Sequence, residues 1–151
     1  MTRLLTVSLV AVLVFAACSP DALEQYFHRV DEITATMRRD SIVALPDPSR
    51  PTPENVSGVI EARRTATDAL EAMTPPTEVR PEHAALVLAL SDLTDAGDRI
   101  LAETSQLDSS AFTAAMESAT GLDETARRVT IACNALDARA EQLGYDLDLR
   151  C

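Results

Sequence analysis

FTAAMESATGLDETARRVTIACNALDARAEQLG, residues 112–144, carries apolar or small side chains at Phe112, Ala115, Ala119, Leu122, Ala126, Val129, Cys133, Leu136, Ala140 and Leu143. Steps that alternate between three and four put all ten on one stripe of an α-helix and keep heptad spacing from end to end. Ser109 or Ser110 suits the amino-terminal cap, and Gly144 stands where a helix usually closes in the left-handed region. Gly121, followed by Leu122, Asp123 and Glu124, marks the place where this helix would kink or divide into a short and a long piece.

Upstream of this stretch the same period recurs three times. Leu23, Tyr26 with Phe27, Val30, Ile33 and Met37 form a first stripe that opens at Ser19–Asp21, with Arg38 and Arg39 expected near its carboxyl end. Pro46, Pro48, Pro51 and Pro53 make the next segment a stiff, non-helical connector. The second helix begins between Pro53 and Ser57 and runs to about Met73. Its stripe of Val56, Ile60, Arg63, Ala66 with Thr67, Leu70 and Met73 is poorer, because an arginine interrupts it. Thr74-Pro75-Pro76-Thr77 stops it. A third helix starts at Pro81 with Glu82 in its first turn and carries His83, Leu86 with Val87, Leu90, Leu93, Gly97, Ile100 and Leu107 on one face. Gly97 in that stripe costs about 1 kcal/mol of helix propensity against Ala, which a close helix crossing would explain. Four amphipathic helices with short connectors bury their stripes best as an antiparallel, up-down-up-down bundle, so the fold expected is all-α.

The first eighteen residues follow another rule. Arg3 precedes an apolar run from Leu4 to Phe15 that only Thr6 and Ser8 interrupt. It is shorter than the roughly 20 apolar residues that a membrane crossing needs, and it has the layout of a secretory signal. The junction Phe15-Ala16-Ala17-Cys18 resembles the bacterial lipoprotein signal, in which a bulky apolar residue and two small ones precede a modified cysteine. That resemblance implies a signal peptide over residues 1–17 and a diacylglycerol on the Cys18 thiol. It also implies acylation of the new amino terminus and a lipid-anchored helical domain over residues 18–151 on the extracytoplasmic face of the cell membrane. Acyl chains anchor at about 0.8 kcal/mol per buried methylene.

With Cys18 assigned to lipid by that resemblance, Cys133 and Cys151 remain. An even pair in an oxidising compartment is most simply a disulfide, here one that would hold the carboxyl-terminal tail against the bundle. Two free thiols, or a dimer linked through Cys151, are the alternatives. No Cys-x-x-Cys occurs, and neither histidine neighbours Cys133 in sequence, so a redox or nucleophilic role has no support.

The chain of 151 residues has 24 acidic and 13 basic side chains, every basic one an Arg, for a formal charge of −11. Removing residues 1–17 takes away Arg3 and no acid. An acidic surface of this kind does not bind nucleic acid or an anionic bilayer by default. No cofactor motif is present: there is no glycine-rich phosphate loop, no His-Glu-x-x-His and no Glu-x-x-His. Glu24, His28 and Glu32 share a side of the first helix, but one helix supplies too few ligands for a metal. Asp92, Asp95 and Asp98 lack the calcium-loop pattern and read as a solvated ridge. His83, on an apolar stripe at a helix start, is expected to be neutral and hydrogen-bonded.

Two stretches also resemble small secreted helical lipoproteins of high-GC Gram-positive bacteria. One is Leu70-Glu71-Ala72-Met73-Thr74-Pro75-Pro76-Thr77-Glu78-Val79-Arg80-Pro81-Glu82-His83 with Leu86 and Leu90; the other runs from Cys133-Asn134-Ala135-Leu136 through Gly144 to Cys151. This resemblance implies a fold and an address and transfers no catalytic residue. The function expected is that of a non-enzymatic interaction or structural module with the bilayer, through Cys18, and an envelope protein as partners. A second class is a small-molecule or lipid-binding bundle whose cavity is lined by His83, Leu86, Leu90, Leu93, Ile100, Val129 and Leu136. A metal-binding or hydrolytic enzyme is the third.

Overall fold

The computed structural model describes residues 22–146 and Leu149. Residues 1–21, with the signal peptide and Cys18, lie outside the described residues, and so does Cys151. Five α-helices and one 3₁₀ turn follow one another: α1 Ala22–Ala44, α2 Pro53–Glu71, the 3₁₀ turn Thr77–Val79, α3 Arg80–Thr104, α4 Ser109–Glu117 and α5 Thr120–Gln142. Consecutive long helices run antiparallel. Asn55 Nδ2 at the start of α2 donates to the Ala44 carbonyl at the end of α1, and Ile60 of α2 packs on Gly97 near the end of α3.

The sequence marked these helices well and their ends less well. Thr52 caps α2, accepting a hydrogen bond from the Asn55 N–H, with Pro53 in the first turn. α1 runs to Ala44, so Arg38 and Arg39 are not in its last turn, and Ile42 and Val43 stand exposed. Gly144 adopts φ 89°, donates to the Glu141 carbonyl, and is followed by Tyr145, whose N–H reaches the Ala140 carbonyl. That pair of bonds is the glycine closure expected.

Two features of the expected bundle are corrected. The stretch 112–143 is not one helix, so the described residues contain five α-helices rather than four. Ala119, with ψ 75°, interrupts the ladder, and α4 is capped by Asp108 rather than by Ser109 or Ser110. Length is the physical reason. A continuous helix from Phe112 to Leu143 would reach about 48 Å, against about 38 Å for α3. The break lets Phe112 turn back and bury itself fully against Val56 and Ile60.

The second correction concerns the tail. No disulfide joins two described cysteines: Cys133 is disulfide-bonded, but whatever it bonds to lies outside the described residues. A tail held by Cys133–Cys151 is therefore not part of the described architecture. Within it, Leu149 is buried in the core, its N–H lies 3.3 Å from Asp137 Oδ1, and its carbonyl oxygen lies 3.4 Å from Cys133 Sγ.

One main core joins α1, α2, α3 and α5 through Phe27, Val30, Leu70, Leu86, Leu90 and Leu136. Phe27 and Tyr145 pack with ring centroids 5.2 Å apart and planes tilted by 50°, so an aromatic pair bridges α1 and the segment after α5. Four threonines share the buried faces, and each hydroxyl donates to a carbonyl three or four residues back in its own helix: Thr34 to Asp31, Thr67 to Arg63, Thr94 to Leu90 and Thr104 to Ile100. No described helix is long and apolar enough to cross a membrane.

Candidate functional site

His83 is the residue around which three helices meet. It stands in the first turn of α3, 6 % exposed, where Pro81 and Glu82 begin the helix. Tyr26 of α1, 5 % exposed, places its hydroxyl 3.0 Å from His83 Nδ1. The backbone of Leu70, in the last turn of α2, lies beside the ring and favours its protonated form. In a neutral imidazole one nitrogen accepts and the other donates, so a tyrosine that donates to Nδ1 leaves the second nitrogen as the N–H donor.

Electrostatics agrees with that assignment. Burial holds the His83 proton affinity below its ordinary value, and the Leu70 backbone only partly offsets it. Burial pushes the Tyr26 hydroxyl up, and the nearby Glu82 charge adds to the shift, so the phenol remains a donor. Glu82 Oε2 is buried without a hydrogen-bond partner among the described residues. The cluster is thus a buried hydrogen-bonded junction with a carboxylate beside it.

The other pocket residues anticipated from the sequence sit in two places. Leu86, Leu90, Leu93, Val129 and Leu136 are packed within the core, and Leu86 and Leu136 are wholly buried. His83 instead edges an open surface groove of about 420 Å³ with Met73, Pro75 and Leu88. Ile100 borders a different groove, with Ala96, Glu103 and Ala119. Helical periodicity identifies a stripe but cannot distinguish side chains that line a hole from side chains that fill it.

Glu24, His28 and Glu32 all stand exposed on α1, and Glu32 pairs with Arg29. Among the described residues no group of three His, Cys, Asp or Glu could hold a metal ion. The acidic ridge of α3 is tied on two sides: Asp98 to Arg64 of α2 at 2.8 Å, and Asp92 to Arg128 of α5 at 3.6 Å. Sequence reasoning did not single out Tyr26 as the partner of His83. The signal was a tyrosine among purely apolar stripe residues, since a buried phenol needs a partner.

The likeness to small secreted helical lipoproteins is not carried further, because the described fold has five helices and its cysteine pair is not joined within it. In comparison with known proteins, no family model, no curated protein and no solved structure matches the chain.

Proposed function

We propose that the chain is a non-enzymatic interaction or structural module, held at the extracytoplasmic face of a cell membrane by acylated Cys18 and working with an envelope protein. The observation that supports the non-enzymatic reading is the closed junction at His83. The buried histidine, the side chain best suited to moving a proton, has Nδ1 engaged by the Tyr26 hydroxyl and its proton affinity lowered by burial. The anchor reading rests on the apolar run Leu4–Phe15 and the Phe15-Ala16-Ala17-Cys18 junction. In this reading the bundle end that carries the start of α1 and the Thr74–Thr77 connector faces the bilayer. The surface on offer to a partner includes exposed Leu88 and Ile131, each about one helical turn from the Asp92–Arg128 pair.

A cavity-forming bundle centred on His83 is not favoured, since Leu86, Leu90, Leu93, Val129 and Leu136 belong to one packed core. Intact mass spectrometry of the native product tests the anchor. The expected species begins at Cys18 and carries diacylglycerol; an unmodified Cys18 in a chain that keeps residues 1–17 overturns it. Photo-crosslinking from position 88 or 131 in intact cells is expected to capture one envelope protein reproducibly. Labelling no greater than from an exposed polar site such as Glu103 overturns the interaction reading.

A further inference from the structure

The arginine that breaks the stripe of α2, Arg63, has no counter-charge among the described residues. Its neighbour Arg64 engages both Glu61 and Asp98, whereas the Arg63 guanidinium has no carboxylate and no hydrogen-bond acceptor among the described residues. Burial weakens its hold on its proton, with no compensating charge. Arg63 is half-buried, and a guanidinium without a partner among the described residues keeps its donors open to a bound anion.

What it borders is a half-enclosed cavity of about 120 Å³ whose other walls are apolar. Leu45 comes from the α1–α2 connector, Val56 and Ile60 from α2, Met116 from α4 and Leu122 from α5. Gly97 of α3 forms part of the lining, and a Cβ there would come within 3.0 Å of Ile60 Cγ1. One fixed positive charge at the edge of a small greasy chamber is complementary to a molecule with one negative charge and a short hydrocarbon tail.

We propose that this cavity binds a small aliphatic monocarboxylate, its carboxylate paired with the Arg63 guanidinium and its tail in the chamber formed by Ile60, Met116 and Leu122. Guanidinium and carboxylate match as a bidentate pair. The volume is somewhat below the roughly 150 Å³ of a dry cavity that takes up benzene, which sets the tail at about four to five carbons. A phosphate monoester would bring a second charge that Arg63 cannot match, into a protein already strongly acidic. The inference is independent of membrane tethering.

Titration of the purified protein with isovalerate, followed by amide NMR, is the test. Saturable shifts confined to the lining residues are expected, with a Kd of about 1 mM. Isovaleramide and decanoate should bind at least tenfold more weakly. Arg63→Met should abolish the response without loss of thermal stability, because no native ion pair is removed, and Arg63→Lys should retain part of it. Should Arg63→Met fail to fold, Met116→Phe keeps the charge, narrows the chamber and is expected to weaken binding about tenfold. Absence of saturable shifts up to about 20 mM, equal binding of the amide, or unimpaired binding by both variants overturns the proposal.

Discussion

Burial lowers the proton affinity of His83, and that has a definite consequence for stability. The folded value lies below the unfolded one of about 6.5, so the unfolded chain binds more protons as the pH falls through that value. The contribution of a neutral His83 is therefore complete above about pH 6.5 and declines on acidification towards the folded value. Thermal midpoints measured at about pH 7.5 and 5.5 should fall further for wild type than for His83→Gln; equal falls would refute the assignment. Tyr26→Phe removes the only described donor to Nδ1 and leaves a buried acceptor unpaired, at a cost of about 1–3 kcal/mol by chemical denaturation. Its pH dependence should shift as well, since the loss alters the partner of the titrating ring.

Helix ends and crossings belong to the element scale. Thr52→Ala deletes the side-chain acceptor for the Asn55 N–H and should destabilise by about 1 kcal/mol. Asp108 caps α4 through bonds from the Ala111 and Ser110 N–H groups and the Ser110 hydroxyl, which hold its carboxyl below the usual range. That stabilisation is present above the ordinary carboxylate value and is lost as pH falls through the lowered one. Exchange of the Ser110 and Ala111 amides, corrected for intrinsic rates, should therefore accelerate relative to the α2 amides only in strong acid. Gly97→Val tests the α2–α3 crossing. A Cβ alone meets Ile60 at 3.0 and 3.2 Å, so two further methyl groups must displace it, at about 1–3 kcal/mol.

For the whole molecule, charge outweighs ion pairing. The described salt bridges are exposed and worth little each, while a formal charge of −11 repels itself throughout the folded volume. Raising ionic strength from low salt to about 0.5 M should therefore raise the thermal midpoint, by about 4 °C if screening relieves about 1 kcal/mol. A midpoint that falls with salt would mean that ion pairs such as Arg64–Asp98 dominate. Shape at this scale follows from the division of the last helical stretch. Phe112 seeds a second small core with Val56 and Ile60, and the Arg63 cavity lies beside it, between α2, α4 and α5.

The sequence by itself determined which residues form helices and which face each helix buries. Those are local properties, set by the three-four spacing of apolar side chains, by prolines at 46–53 and 75–76 and by Gly144. It also marked His83 as neutral and enclosed, because an imidazole at a helix start on an apolar stripe loses proton affinity wherever it packs. Only the tertiary structure decided that the stripe from Phe112 to Leu143 breaks at Ala119, since the break answers to the length of neighbouring helices. It alone brought Tyr26, Leu70 and His83 together, from three helices, and left Arg63 without a carboxylate among the described residues while Arg64 took Glu61 and Asp98. Pairing and cavities depend on which helix lies opposite which, and that is settled by the packing of all stripes at once rather than by any one of them.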